Sequence, residues 1–155
     1  MGRLFTSRHI FKVDKKGRVS VPASFRAVIQ GESGGPYIYL RESQGEPAIE
    51  GLTPTYLEEL AASIEHLDHN TDERDNAEFD VFTSIHEVRF DDDGRMILPA
   101  ALRDFAGITD TAEFAGMGRR FMIWNPDALK RHTDERRKAG KRVTLKALPR
   151  RGEPA

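Results

Sequence analysis

The sequence predicts an α+β fold, rich in β-structure, built from two tandem repeats with short helices and connecting amphipathic helices. The first observation is internal repetition: residues 13–26 and 90–103 share Asp, Gly, Arg, Pro, Ala and a second Arg at one constant offset of 77 residues. The second is that each copy joins turn-forming residues to an alternating apolar segment. The third is a helix-start signal after each copy. The fold assignment depends on this repeat, because overlooking an internal repeat leads to the wrong fold.

Each copy of the repeat predicts a strand, a turn, a second strand and a short helix. In the first copy, the opening strand is expected over residues 5–13 and the second strand over 19–21. Asp14 and Gly17 predict the turn, since an Asp side chain bonds backbone two residues on and Gly accepts a positive φ. Pro22 cannot donate to a strand ladder, so it ends the strand and begins the helix. Asp91 and Gly94 are the turn residues of the second copy.

The rest of the chain predicts further strands and three longer helices. Strands are expected over 37–40 and 48–52, with 114–115 and 121–124 as their counterparts. Thr53-Pro54 and Asn125-Pro126 each predict a capped helix start, and 72–82 gives another helical pattern. The basic tail from about residue 135 is expected to be mobile. The predicted divisions are 7–54 and 84–127 for the two repeat domains, 55–83 for connecting helices, and 128–155 for the C-terminal helix and tail.

Composition limits the classes of function. The chain has no cysteine, which removes disulfides and thiolate zinc sites, and no apolar run long enough to span a membrane. The net charge of −1 conceals an uneven distribution: residues 1–30 hold seven Lys/Arg and one acid, whereas residues 31–93 hold three Arg and seventeen acids. A basic face in a balanced chain can still bind nucleic acid. We expect a soluble, intracellular protein.

The Asp…Arg pairs of the repeat allow two interpretations. Arg18 and Arg95 would either bond the turns that Asp14 and Asp91 make, or present cations to phosphates from the loop tips. An exposed pair of this spacing contributes only a few tenths of a kcal/mol, so the pattern alone favours neither interpretation.

The repeated motif resembles the SpoVT/AbrB-type swapped-hairpin β-barrel, and a tandem pair in a chain of this length resembles the MraZ family. The resemblance covers roughly residues 5–135 and includes Phe121-Met122-Ile123-Trp124 as the family's closing strand. It implies two tandem barrel units, no enzymatic activity, no cofactor and no small-molecule substrate. It also implies a cytoplasmic, nucleoid-associated homo-oligomeric ring that regulates the division and cell-wall gene cluster by binding duplex DNA repeats upstream of its own operon. The implied DNA-binding residues are Arg18, Arg26, Arg95 and Arg103 at motif positions, with Lys15 and Lys16 at variable loop positions and Arg8 as a weaker candidate.

Other functions receive little support from the sequence. His66 and His69 share a helix face beside Asp68, but solvated histidines are ordinary at such a helix end, so no metal site is expected. No nucleophile or dinucleotide motif is complete, so we expect no enzyme. Two alternatives to a DNA-binding regulator stay open: an antitoxin-like module that holds a protein partner, and a ring-forming structural protein without specific DNA binding. The second loop carries Asp92 and Asp93, which makes it acidic and lowers its expected share of phosphate contact.

Overall fold

A computed structural model describes residues 4–68, 71–141 and 143–148 of the chain. The first repeat contains β1 (Arg8–Lys12), β2 (Arg18–Ser20), α1 (Ala23–Ser33), β3 (Tyr37–Glu42) and β4 (Ile49–Leu52). The connecting helices are α2 (Pro54–Glu65) and α3 (Asp72–Phe82). The second repeat contains β5 (His86–Arg89), β6 (Arg95–Ile97), α4 (Ala100–Ala106), β7 (Thr111–Gly116) and β8 (Arg120–Trp124), and is followed by α5 (Pro126–Lys138).

The strands of the two repeats pair with each other. A six-stranded antiparallel sheet has the order β1-β7-β8-β4-β3-β5, and β2 pairs with β6 in a separate two-stranded ribbon. The expected α+β, β-rich class is therefore confirmed. The resemblance implied a closed barrel for each unit, and that detail is corrected: in the described residues the larger sheet is open, because its edge strands β1 and β5 pair with β7 and β3 but not with each other.

Local sequence signals account for most element boundaries. Thr53 and Asn125 cap α2 and α5 through their side-chain oxygens, which accept the backbone N–H groups of Tyr56 at 3.3 Å and Asp127 at 2.8 Å. The expected first strand is interrupted at Ser7, which has a φ of 70°. Helix α5 continues to Lys138, past the expected start of the irregular tail. Basic side chains in its last turn stabilise this end of the helix by their attraction to the negative end of the helix dipole.

The main core lies between the inner face of the sheet and a layer made by the ribbon, α1 and α4. Four phenylalanine side chains, each at most 1% exposed, form its centre: Phe5, Phe25, Phe114 and Phe121. The ring of Phe121 covers Gly51 on the neighbouring strand, where a Cβ would overlap that ring. On the outer face, Trp124, Met122 and Leu129 form a smaller cluster beneath α5. The ribbon and α5 therefore lie on opposite faces of the sheet.

No helix within the described ranges is both long enough and apolar enough to cross a membrane.

Candidate nucleic-acid interface

The first loop is an ordered turn built around the carboxylate of Asp14. Its Oδ1 accepts the backbone N–H groups of Lys16 at 2.9 Å and Arg18 at 2.8 Å, and its Oδ2 accepts Nε of Arg18 at 2.7 Å. The backbone N–H of Arg18 is the main reason that the pKa of Asp14 lies below its ordinary value of 3.8. Gly17 has a φ of +85°, a backbone conformation that glycine adopts readily and other residues rarely do, so the turn requires glycine at this position. Of the two interpretations of the motif, the structure shows the bond between Arg18 and the Asp14 turn. Contact of Arg18 with phosphate stays a prediction.

The second loop repeats this turn but directs its arginine differently. Asp91 Oδ1 accepts the backbone N–H groups of Asp93 at 2.9 Å and Arg95 at 3.0 Å. The Nη2 of Arg95 lies 3.2 Å from Asp93 Oδ2, while its Nε is buried without a hydrogen-bond partner in the described part of the chain. The pKa of Asp91 is lowered, first by the backbone N–H of Arg95 and also by the charge of Arg18. Asp93 therefore competes with any anion for the guanidinium of Arg95.

The ribbon brings the two motif arginines to one exposed face. In its register Arg18 lies opposite Ile97, and Ser20 lies opposite Arg95. These four side chains share a face because Val19 and Met96, the alternating residues, are buried in the core. Diagonal neighbours of this kind lie roughly 7–8 Å apart. The ribbon face and its two loops, residues 14–20 and 91–97, form the candidate interface.

Arg26 and Arg103 brace the loop of the opposite repeat. Arg26 Nε donates to the carbonyl of Val21 at 3.3 Å, and a Cβ on Gly94 would lie 2.7 Å from the guanidinium carbon of Arg26. Arg103 has the symmetric arrangement: it donates to the carbonyl of Leu98 at 3.0 Å and covers Gly17, where a Cβ would lie 2.8 Å from its guanidinium carbon.

This reciprocal packing was missed by sequence reasoning, although its signal is in the sequence. Both copies combine a turn glycine with a helical arginine at the same offset, and the structure shows that the arginine of each copy covers the glycine of the other. The structure brings Arg26 and Arg103 close to the loops, and their contact with DNA stays a prediction.

The remaining predicted cations are divided between two faces of the molecule. Lys15 and Lys16 are exposed at the tip of the first loop. Arg8 lies on the other face of the sheet, where its Nη2 donates to Thr133 Oγ1 of α5 at 3.0 Å. The structure therefore brings the six loop and helix cations together and leaves Arg8 apart.

The sum of charges differs between the two loops. Residues 14–18 carry three bases and one acid, a net charge of +2, whereas residues 91–95 carry one base and three acids, a net charge of −2. Attraction to phosphate is consequently concentrated at the first loop.

The histidine pair considered as a metal site is only partly described. His66 is the C-cap residue of α2, and His69 lies outside the described residues. Within 4–68, 71–141 and 143–148, no group of three or more His, Cys, Asp or Glu side chains is arranged to hold a metal ion.

Two intertwined copies of one strand–loop–strand–helix unit define a tandem-repeat α+β protein with a shared antiparallel sheet. The profile of the family described as "MraZ protein, putative antitoxin-like" matches residues 81–145. Curated relatives named "Transcriptional regulator MraZ" cover most of the chain. The one from Gluconobacter oxydans is 38% identical over 140 residues, which are 89% of this chain and 83% of the relative. The one from Rickettsia bellii is 40% identical over 146 residues, which are 92% of this chain and 97% of the relative. The one from Parvibaculum lavamentivorans is 42% identical over 125 residues, which are 80% of this chain and 77% of the relative. The chain belongs to the MraZ family.

Proposed function

We propose that this chain is a sequence-specific DNA-binding transcriptional regulator that contacts duplex DNA through the ribbon face. The single observation that carries the proposal is the placement of Arg18 and Arg95 on one exposed face, beside a loop of net charge +2. The name of the curated relatives supports regulation of transcription. A two-stranded ribbon is of a size that the DNA major groove admits, and exposed Arg and Lys side chains bind backbone phosphates.

The proposal extends to fold type, target and location. The pairing of β1 with β7 and of β5 with β3 supports a swapped-hairpin arrangement within one chain. The target would be short repeats upstream of the chain's own operon in the division and cell-wall gene cluster, as the family resemblance implies. The protein would act in the cytoplasm, associated with the nucleoid, and without enzymatic activity.

The test compares two exposed arginines that are paired alike. On the ribbon, Arg18 forms an ion pair with Asp14 at 2.7 Å. Outside the ribbon, Arg119 forms an ion pair with Glu59 at 2.6 Å. Arg18→Ala should weaken binding to a labelled duplex from the upstream region and lower the salt slope by about 1 per bound subunit, whereas Arg119→Ala should leave both unchanged. Melting temperature should change little for either variant, because exposed ion pairs contribute about 0–1 kcal/mol.

Unchanged affinity of Arg18→Ala would refute the ribbon as the DNA interface. A large fall in its melting temperature would support the purely structural interpretation of the motif. Wild-type protein that fails to bind the duplex but co-purifies with a small protein would instead favour the antitoxin-like alternative.

We further propose that the chain assembles into a homo-oligomeric ring. Large apolar side chains are exposed on α3, where Phe79 is 66% exposed and Phe82 is 43% exposed. Exposed aromatic residues on one helix indicate a surface that a partner covers. Sedimentation at low micromolar concentration should therefore give a particle well above the 17.5 kDa of one chain, and a monomer of that mass would refute the ring.

A further inference from the structure

The face of the sheet opposite the ribbon carries a large groove, which we call the outer groove. Its floor is the outer surface of β3, β4, β8, β7 and β1, and its walls are α2 and α5. The volume is about 960 Å³. This is near the upper end of the range for small-molecule sites, which lies at roughly 300–1,000 Å³.

An in-register row of side chains crosses the floor of the groove. The row consists of Arg41, Glu50, Met122, Ala115 and Arg8, each the cross-strand partner of the next. Five strands at a spacing of about 4.8 Å make this row roughly 19 Å long. Each end of the row is therefore an arginine. Glu50 lies next to Arg41, and the two residues between Glu50 and Arg8, Met122 and Ala115, are apolar.

A buried ion cluster lies at one end of the row. Glu50 is 5% exposed, and its two carboxylate oxygens accept Arg41 Nε at 2.8 Å and Arg120 Nη1 at 2.6 Å. Two guanidinium groups share one carboxylate, so the cluster keeps a net charge of +1. Arg120 lines the groove, and its side chain is 29% exposed, so it can still present donors to a ligand.

The whole groove is positively charged, in contrast to the chain. Six Lys or Arg residues line it and only two acids do, which gives a net charge of +4 in a protein of net charge −1. One of the acids, Glu50, is engaged by the ion cluster, and the other, Glu46, lies 3.4 Å from Nδ1 of His132. A concave surface with charges of one sign focuses the electrostatic potential and attracts counter-ions.

The groove also has an apolar side. Trp124, Leu129 and Met122 line it from the sheet and α5, and Leu60 and Tyr56 line it from α2. The ring of Trp124 lies 4.9 Å from that of His132, at an interplanar angle of 34°. Aromatic and aliphatic walls combined with a few cations are typical of sites for organic anions.

We propose that the outer groove binds a small organic anion, with its phosphate or carboxylate groups held by the arginines and its apolar part against Trp124 and α5. The proposal concerns binding alone, and no reaction is assigned to the groove. The groove and the ribbon lie on opposite faces of the sheet, so both can be occupied at once. The proposal therefore does not depend on DNA binding.

Trp124 provides the measurement, because it is the single tryptophan of the chain and lines the groove. Its fluorescence is followed on the full-length protein during addition of ADP, pyrophosphate or citrate, with adenosine and sodium chloride of matched ionic strength as controls. A saturable change is expected with ADP, which carries both a diphosphate and an aromatic base. Pyrophosphate and citrate should compete with it, and adenosine should bind far more weakly.

Matched variants on α5 identify the site. Arg136→Gln/Arg137→Gln removes two cations that line the groove, and Lys130→Gln/Arg131→Gln removes two exposed cations of the same helix that do not. The first pair should weaken ADP binding by about tenfold or more, and the second should leave it unchanged. All four side chains are exposed or lie at the helix surface, so both variants should fold.

Three outcomes would overturn the proposal. The first is that none of the three anions produces a saturable change in Trp124 fluorescence, or that sodium chloride produces an equal change. The second is equal weakening by the two α5 variants. The third is displacement of ADP by a short duplex, which would make the groove part of a nucleic-acid surface. Lys15→Ala/Lys16→Ala, which alters the ribbon loop alone, should keep ADP binding intact even if DNA binding is lost.

Discussion

Removal of the two lysines from the first loop tests how the DNA-binding work is divided between the repeats. Lys15 and Lys16 are exposed, and the turn uses only the backbone N–H of Lys16, so Lys15→Ala/Lys16→Ala should keep the loop ordered. Each neutralised phosphate contributes about 0.9 to the salt slope, so the variant should flatten it by about 1.8 per bound subunit if both lysines contact phosphates. Between about 50 and 200 mM salt, the affinity of the native chain should then fall about tenfold more than that of the variant.

The matched change lies at the same positions of the second loop. Asp92→Asn/Asp93→Asn should leave the slope unchanged or steepen it, because Asp93 no longer draws the guanidinium of Arg95, which lies 3.2 Å away. The assay is fluorescence anisotropy with one duplex at several salt concentrations, with thermal melting as a control for folding. Equal losses of affinity from the two variants would mean that the repeats contribute alike, and the reasoning from loop charge would be wrong.

Three further predictions concern stability and pH. Gly51→Ala should destabilise the fold by about 1–3 kcal/mol, a fall of several degrees in Tm, because its Cβ would overlap the Phe121 ring. Glu50→Gln should cost about 3 kcal/mol in denaturant unfolding, because it leaves a buried arginine without its carboxylate. The folded-state pKa of Asp14 is lowered, so its contribution to the turn is complete above pH 3.8 and is lost as pH falls through the lower folded value. The amide chemical shift of Arg18 should follow that transition during acid titration.

Each of these has its own control. Gly31→Ala lies in a helix where a Cβ would meet nothing within 4 Å, so it should not destabilise the fold as Gly51→Ala does. Arg119→Gln breaks an exposed ion pair and should cost far less than Glu50→Gln. Asp14→Asn should abolish the acid transition of the Arg18 amide. A titration midpoint at or above the ordinary value would contradict the proposed hydrogen bonding of the first loop.

Local signals in the sequence predicted most elements of the fold. The offset of 77 residues places Arg18–Ser20 and Arg95–Ile97 in equivalent strands, and the Asp and Gly of each motif form the turn that they predict. The helix starts after Thr53 and Asn125 were also correct. These features depend on neighbours within a few residues, and such interactions are visible in one sequence.

Pairing across the chain could not be read in the same way. Alternation shows that a strand has a buried face, but it does not give the partner strand. Exchange between the repeats was therefore implied only by the resemblance to a swapped-hairpin fold, and the open sheet was not predicted. The cluster of Glu50 with Arg41 and Arg120 was missed for the same reason, since Arg120 is 70 residues from Glu50. The rotation of Arg95 towards Asp93 depends on side-chain geometry that the shared motif does not encode.

The pairing of β1 with β7 and of β3 with β5 has a consequence for biosynthesis. When the first repeat leaves the ribosome, β3 can pair with β4, but β1 still lacks β7 and β3 lacks β5, because those strands are made later. Such a half carries unpaired strand edges and an uncovered apolar face, which are the features that favour aggregation during folding. Contacts between distant segments also slow folding, since loop-closure entropy is lost before they form. A nascent chain of this protein therefore stays vulnerable until β7 and β8 emerge, and slower translation of the second repeat would lengthen that period.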